Sequence, residues 1–138
     1  MGNLRRFFYV SRVDASIDNA TVKDIVFRSQ RNNRQKDVTG VLAHSGRHFA
    51  QVLEGTADNL AALTAKIWRD KRHTEVTVLF DEPISTRDYG EWSMGFLYDA
   101  TLSDEIEQAL SDLTHQSNDR NGALARKIFL HVRDLARP

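Results

Sequence analysis

A chain of 138 residues with 41% hydrophobic and 28% charged residues is one domain's worth of sequence, long enough to bury a core without metal or disulfide staples, which excludes disorder as its dominant state. Nineteen Lys and Arg balance nineteen Asp and Glu, so the basic excess of a dedicated nucleic-acid binder is missing. There is no cysteine, which removes disulfides, thiolate metal ligands and cysteine nucleophiles together and suits a reducing cytoplasm.

Leu4 to Arg12 is rich in aromatic and β-branched residues and reads as a buried strand. Its apolar stretch, Phe7 to Val10, is too short for a signal-peptide core, and no run nears the ~18 apolar residues of a membrane span. The expectation is a cytoplasmic protein with no membrane partner. Asp18 is a good N-cap for a helix in which Val22, Ile25, Val26 and Ser29 recur at helical spacing, running to about Gln35. Val38 to Ala43 is a second strand, Ser45-Gly46-Arg47 a hairpin turn, and His48 to Glu54 a third strand. Alternation sets Phe49, Gln51 and Leu53 on one face of that strand and His48, Ala50 and Val52 on the other.

Gly55 ends the third strand and Thr56 caps a second helix with Leu60, Leu63, Ile67 and Trp68 on its apolar side. Thr74 to Phe80 reads as a fourth strand, Ile84 to Gly90 as a loop, and Glu91 to Tyr98 as a fifth strand with Trp92, Met94 and Phe96 on one face. Ser103 is the expected cap of a helix carrying Ile106, Ala109, Leu110 and Leu113. His115 to Gly122 reads as a polar linker, and Leu124, Ile128, His131 and Leu135 as a last amphipathic stripe.

The order predicts an α+β, ferredoxin-like βαββαββ sheet with two helices on one face, followed by two C-terminal helices. Residues 1–98 form the expected core domain and 99–138 a helical extension. The opposite sheet face, bearing Phe8, Val10, Ala50 and Val52, needs a cover. A homo-oligomer is expected for that reason, with the C-terminal helices as the alternative cover.

Several enzyme signatures are missing: a phosphate loop, a paired glycine fingerprint and a His-x-x-x-His pair on a helix. Gln51 stands out as a neutral amide in the apolar run Phe49 to Leu53, where its donors and acceptors need partners. Tyr9 lies mid-strand and can meet Gln51 if the first and third strands are neighbours, as the fold implies. Asn32 and Asn33 precede the basic end of the first helix, Trp92 and Met94 sit on the fifth strand, and Arg72-His73 follow the second helix. Taken singly, each is explained by packing, capping or solvation.

Taken in order, Tyr9-Val-Ser11, Ser29-Gln-Arg-Asn32-Asn33, Val38-Thr-Gly-Val-Leu42, Phe49-Ala-Gln51-Val-Leu-Glu-Gly55, Arg69-Asp-Lys-Arg-His73 and Trp92-Ser-Met94 resemble a BLUF domain, a blue-light sensor using FAD. The resemblance covers about residues 4 to 98. It implies a non-covalently bound flavin (FAD, with FMN or riboflavin as substitutes) between the helix of Ile25 and Ser29 and the helix of Leu63 and Ile67. It implies that Asn33, with Asn32 beside it, meets the flavin's imide edge, and that Gln51 lies between the flavin and Tyr9. Lys66, Asp70, Arg72 and His73 would lie toward the ribityl and phosphate side. Tyr9, Gln51, Trp92 and Met94 are the implied photoactive set, with Trp92 or Met94 beside Gln51. The implied function is a photoreceptor, not an enzyme, signalling to a separate protein or through its oligomer. The competing readings are a small acylphosphatase-like hydrolase on the same fold, a flavin-free dimerisation module, and RNA binding by the sheet, which the neutral charge disfavours.

Overall fold

The structure is a computed structural model that describes residues 3–90, 92–115 and 118–136, with side chains at 109, 111–122 and 124 outside that description. The elements are β1 (Leu4–Val13), α1 (Asn19–Gln35), β2 (Thr39–His44), β3 (His48–Thr56), α2 (Ala57–Arg69), β4 (His73–Pro83), β5 (Gly95–Tyr98), α3 (Leu102–His115) and α4 (Asn118–Ala136). Asp18 caps α1 by accepting from the Thr21 amide at 2.8 Å, and Thr56 caps α2 by accepting from the Asn59 amide at 3.3 Å.

The sheet order is β4-β1-β3-β2-β5. All neighbours are antiparallel except β2 and β5, which run parallel. The order is the ferredoxin-like one with β5 added at the β2 edge. In the β1–β3 register Tyr9 lies directly opposite Gln51. Gly40 makes the close strand approach possible, since a Cβ there would lie 1.9 Å from the Val52 carbonyl oxygen.

Each face of the sheet carries its own core. On one, Phe7, Tyr9, Phe49 and Leu53 pack with Val22 and Val26 of α1 and Leu60 of α2. On the other, Phe8, Val10, Ala50 and Val52 pack under Leu102 and Ile106 of α3 and Ile128, Phe129 and Val132 of α4. The C-terminal helices therefore cover the apolar face whose exposure was the ground for expecting a homo-oligomer. Self-association would have to use another surface.

Four local expectations change. First, β5 begins at Gly95: before it the β2 backbone reaches only the Trp92 carbonyl, through the Gly40 amide, and the Ser93 and Met94 carbonyls accept from α1 side chains instead. Trp92 and Met94 accordingly do not share a face: Trp92 packs against the core under α3 and α4, Met94 is in the core under α1 and α2, and Phe96 is exposed. Second, Ser103 lies inside α3, with its hydroxyl donating to Ser45 Oγ at 2.7 Å, and Asp99 organises the turn by accepting from Thr101 N. Third, α4 starts at Asn118, within the stretch read as a linker. Fourth, its buried stripe is Ala125, Ile128, Phe129 and Val132, whereas His131 pairs with Glu105 and Leu135 is exposed. Leu113, Ala109 and Leu124 fall outside the described side chains.

Two charged clusters fix the ends of the sheet. Glu54 is fully buried on β3, ion-paired with Arg6 at 2.9 Å and accepting from the Asp88 and Tyr89 amides at 3.1 and 2.9 Å. The second cluster fastens α3 to the strands. His48, also fully buried, meets Glu107 Oε1 at 2.6 Å, and Arg12 Nη2 donates to Glu107 Oε2 at 3.0 Å. Hydrogen bonding from Arg12, and then from His48, holds the Glu107 carboxyl below its ordinary range.

Glu54→Ala removes the fully buried partner of Arg6, which keeps Asp88 at 2.9 Å and Glu82 at 3.6 Å, and takes the acceptor from the Asp88 and Tyr89 amides, so the expected loss in a denaturant melt is about 1–3 kcal/mol. Glu107 has its pKa depressed by folding, so its contribution is complete above the ordinary carboxylate range and disappears as pH falls through the lowered value. Glu107→Gln should therefore flatten the acid limb of the melting temperature against pH; an unchanged limb would show that α3 docking does not depend on this carboxylate.

Candidate functional site

Between α1, α2 and the sheet lies a cavity of about 220 Å³. The strand period turns Tyr9, Phe49 and Gln51 toward the helices, with Leu42 beside them on β2. The helical period of α1 brings Ile25, Ser29, Asn32 and Asn33 to the wall, and that of α2 brings Leu63, Lys66 and Ile67. Asp70, Arg72 and His73 complete the lining where α2 ends and β4 begins.

The centre of the wall is a hydrogen-bonded chain. The Tyr9 hydroxyl donates to Gln51 Oε1 at 2.5 Å, and Gln51 Nε2 donates to the Met94 sulfur at 3.4 Å. All three residues are buried. A thioether only accepts, so the amide orientation follows from its two neighbours: nitrogen to sulfur, oxygen to phenol. Burial, with a smaller contribution from the Asp70 charge, pushes the Tyr9 phenol well above its ordinary pKa, so it is a neutral hydrogen-bond donor.

His73 packs edge-on against Tyr9 at 6.0 Å between ring centroids. Its Nε2 donates to the Ile67 carbonyl at 2.8 Å, which leaves Nδ1 to accept from the Ser11 hydroxyl at 2.7 Å. The residue is buried, unlike the solvated one its charged sequence neighbours suggest. Arg72 is locked to Asp70, with Nη2 to Oδ2 at 2.6 Å, and this pairing holds the Asp70 carboxyl down. The Asp24 charge on α1 also acts on Arg72, so charges of both signs flank the cavity mouth.

The segment before β5 is pinned carbonyl by carbonyl. Gly40 N donates to Trp92 O at 3.0 Å, Asn33 Nδ2 to Ser93 O at 2.8 Å, and Gln30 Nε2 to Met94 O at 3.0 Å. Two of the three donors are α1 side chains. Asn33 thus has a structural commitment besides lining the cavity. Trp92 is folded against its own strand: a Cβ on Gly95 would lie 2.4 Å from its ring, and it stacks at 6.0 Å from Tyr89.

Of the residues singled out in the sequence, the structure gathers Tyr9, Ile25, Ser29, Asn32, Asn33, Gln51, Leu63, Lys66, Ile67, Asp70, Arg72 and His73 around one cavity. Met94 reaches that cluster through Gln51, and Trp92 does not. Sequence reasoning missed Gln30, Arg28, Leu42 and Phe49. The period-2 pattern that exposed Gln51 also carries Phe49, and Arg28 lies one turn from Ile25; Gln30, one polar residue in a polar run, gave no signal.

The lining fits a planar heteroaromatic group. Ile25, Leu63 and Ile67 offer apolar flanks, and the carboxamides of Asn32, Asn33 and Gln51 offer both donors and acceptors to a rim of ring nitrogens and carbonyls. Among the described residues no group of three or more His, Cys, Asp or Glu could hold a metal ion, and no helix is long and apolar enough to cross a membrane.

Comparisons with known proteins agree on what this arrangement belongs to. Residues 4–95 match the family model of BLUF, sensors of blue light using FAD. The chain is 40% identical over 93 residues, 66% of its length, to the photoactivated adenylate cyclase subunit alpha of Euglena gracilis, covering 9% of that protein. It is 33% identical over 93 residues, again 66% of its length, to the blue light- and temperature-regulated antirepressor BluF of Escherichia coli K12, covering 23% of that protein. The chain thus spans a tenth to a quarter of the length of these curated relatives. Among solved structures, the dark state of the BLUF protein BlrB superposes with a TM-score of 0.72 at 27% identity, covering 94% of this chain and 96% of that one. BlrP1 of Klebsiella pneumoniae, solved with FMN and cyclic diGMP, gives 0.66 at 29% identity, covering 78% of this chain and 29% of that one. These relatives give no support to the hydrolase or to the flavin-free dimerisation module. With Tyr9 against Gln51 at the wall of a flavin-sized cleft and the family match running from β1 into β5, the chain belongs to the BLUF family of flavin-binding blue-light photoreceptors.

Proposed function

We propose that the chain is a sensor and not an enzyme, in which light moves an electron and a proton off Tyr9 and rearranges the hydrogen bonds of Gln51. The observation that carries this reading is the chain from Tyr9 Oη through the Gln51 amide to the Met94 sulfur. Ile25, Ser29, Asn32, Asn33, Leu63 and Ile67 would hold the ring of the flavin, with Lys66, Asp70, Arg72 and His73 toward its ribityl and phosphate end. A flavin bound there supplies a strong oxidant when it absorbs blue light.

The chain's own groups supply the rest. Tyr9 is a buried neutral phenol, so losing an electron makes its proton strongly acidic, and Gln51 Oε1 at 2.5 Å is positioned to accept that proton. Once the electron and a proton have returned to Tyr9, the net change would be a Gln51 left rotated or tautomerised. In the rotated form Oε1 faces the Met94 sulfur, two acceptors come into contact, and the N–H···S bond is lost. A single hydrogen bond is worth about 1 kcal/mol net. The output is then a population shift of a poised element and not a refolding.

The poised element is the Trp92–Met94 segment, which leads directly into β5. Residues 1–98 act as the sensing part and 99–138 as the relay, with α3 and α4 on the sheet face away from the cavity. Exchange of Met94 for Trp92 beside Gln51 would require Trp92 to leave Gly95 and Tyr89. The receiver is a separate protein or further chain, and the cysteine-free composition suits a cytoplasmic setting. A homo-oligomer would have to use a surface such as the β5 edge, where Phe96 and Tyr98 are exposed.

Tyr9→Phe should bind flavin and lose the light-induced red shift in the absorption spectrum, and Gln51→Leu should do the same; a normal shift in either variant removes that residue from the role given to it. Met94→Leu conserves volume while deleting the sulfur acceptor. It should keep the red shift but abolish the light-minus-dark difference in amide exchange across Trp92–Tyr98. A wild-type difference there would mean that the output leaves Gln51 by another route.

A further inference from the structure

The cavity of about 220 Å³ is smaller than the ~300–1,000 Å³ of pockets that enclose a whole drug-sized ligand. FAD is a large ligand with three parts: a flavin ring on its ribityl chain, a pyrophosphate and an adenosine. The ring and the adenosine end cannot share that space. A second depression, of about 410 Å³, adjoins the first on the outer side of α1 and is lined by Asp24, Phe27, Arg28, Arg31 and Asn32. Arg28 and Asn32 line both, so the two are neighbours across these α1 side chains.

This outer stripe has an unusual composition for a solvated helix face. Phe27 is 59% exposed, an aromatic ring left in water where neither core reaches it. Asp24, Phe27, Arg28 and Arg31 fall at i, i+3, i+4 and i+7, so their side chains form one ledge. Arg28 is held by Asp24 at 3.0 Å. Arg31 has no ion-pair partner among the described residues, nor does Lys66 on the opposite lip, whereas Arg72 is neutralised by Asp70. The threshold of the cavity therefore combines two uncompensated cations with an exposed aromatic face a turn away.

We propose that this ledge is the seat of the adenosine diphosphate half of FAD, with Arg31 and Lys66 receiving the pyrophosphate across the threshold and Phe27 stacking on the adenine. A nucleobase presents a π-face to an aromatic ring whatever its pattern of donors and acceptors. The pyrophosphate needs cations not already neutralised, which Arg31 and Lys66 provide and Arg28 and Arg72 do not. The flavin ring alone would leave the ledge unused. The stripe thus decides which flavin the chain prefers, and the inference rests on the flavin-binding reading of the inner cavity.

The test is titration of the flavin-stripped protein with FAD, FMN and riboflavin, following flavin fluorescence. Phe27→Ala should weaken FAD by roughly tenfold, equivalent to about 1.4 kcal/mol, and leave FMN and riboflavin unchanged. Phe27→Trp should restore FAD affinity, and Arg31→Gln should weaken FAD several-fold without touching riboflavin. Equal weakening of all three flavins by Phe27→Ala would mean damage to α1 and would overturn the proposal, as would an FAD affinity within twofold of wild type. Riboflavin binding by the wild-type chain reports on the inner cavity separately: riboflavin bound without any preference for FAD refutes the ledge alone, and no flavin bound at all refutes both.

Discussion

The hydrogen bond from Tyr9 to Gln51 depends on a register and on a sulfur atom. The register puts the two residues opposite each other on β1 and β3, and α1 and α2 keep both from water. The Met94 sulfur accepts from the far end of the same amide, so the amide has one preferred orientation in a protein that otherwise has no strong reason to choose. A carboxamide is nearly symmetric in shape and opposite in polarity at its two ends. That makes its orientation a two-state variable with little steric cost of switching. The phenol is set against the end that accepts, and its raised pKa keeps it a donor.

The architecture separates this variable from whatever reads it by the thickness of one sheet. Tyr9, Phe49 and Gln51 point to the α1 and α2 face, and the C-terminal helices are fastened to the other by Leu102, Ile106, Ile128 and Val132 and by the His48–Glu107–Arg12 cluster. Arg12 and His48 are partners on the same two strands that carry Tyr9 and Gln51, three residues along. A close-packed sheet does not bend gradually in response to a small force at one residue. The crossing from one face to the other is the segment before β5, with Met94 in one core and Trp92 packed against the other.

Much of this was legible in the sequence, because period and punctuation dominate it. Alternation along Leu4 to Arg12 and His48 to Glu54 sets which side chains share a face, and the ferredoxin-like order makes β1 and β3 neighbours, so the meeting of Tyr9 with Gln51 followed before any coordinates. Asp18 and Thr56 mark the starts of α1 and α2 by local chemistry, whereas Gly55, expected to end the third strand, lies inside β3, which pairs with β1 as far as Thr56. What stayed hidden is what depends on partners distant in the chain. Trp92, Met94 and Phe96 alternate like a strand, but the carbonyls of Trp92 to Met94 are claimed by Gly40, Asn33 and Gln30, and nothing local announces that. Glu54 reads as a solvated strand residue until Arg6 and the Asp88 and Tyr89 amides arrive from either side. His131 and Leu135 share a helical stripe with Ile128, yet the sheet meets α4 through Ala125, Phe129 and Val132, about one position round the helix.

On the proposed reading, the tethering of the Trp92–Met94 segment would let a signal of about 1 kcal/mol suffice. A segment inside a strand ladder would be held by cooperative pairing on both sides, and losing one contact would change little. Here each carbonyl has a single donor, and two of those donors are side chains of α1, the helix that also walls the cavity. Asn33 serves both at once, lining the cavity and holding Ser93. Its Nδ2 has a second hydrogen and its Oδ1 is a separate acceptor, so a ligand at this amide would share the side chain that holds Ser93. On the proposed reading, a ligand at Asn33 would bear on Ser93 and a turned Gln51 on Met94, so the two influences would meet on adjacent residues of one segment.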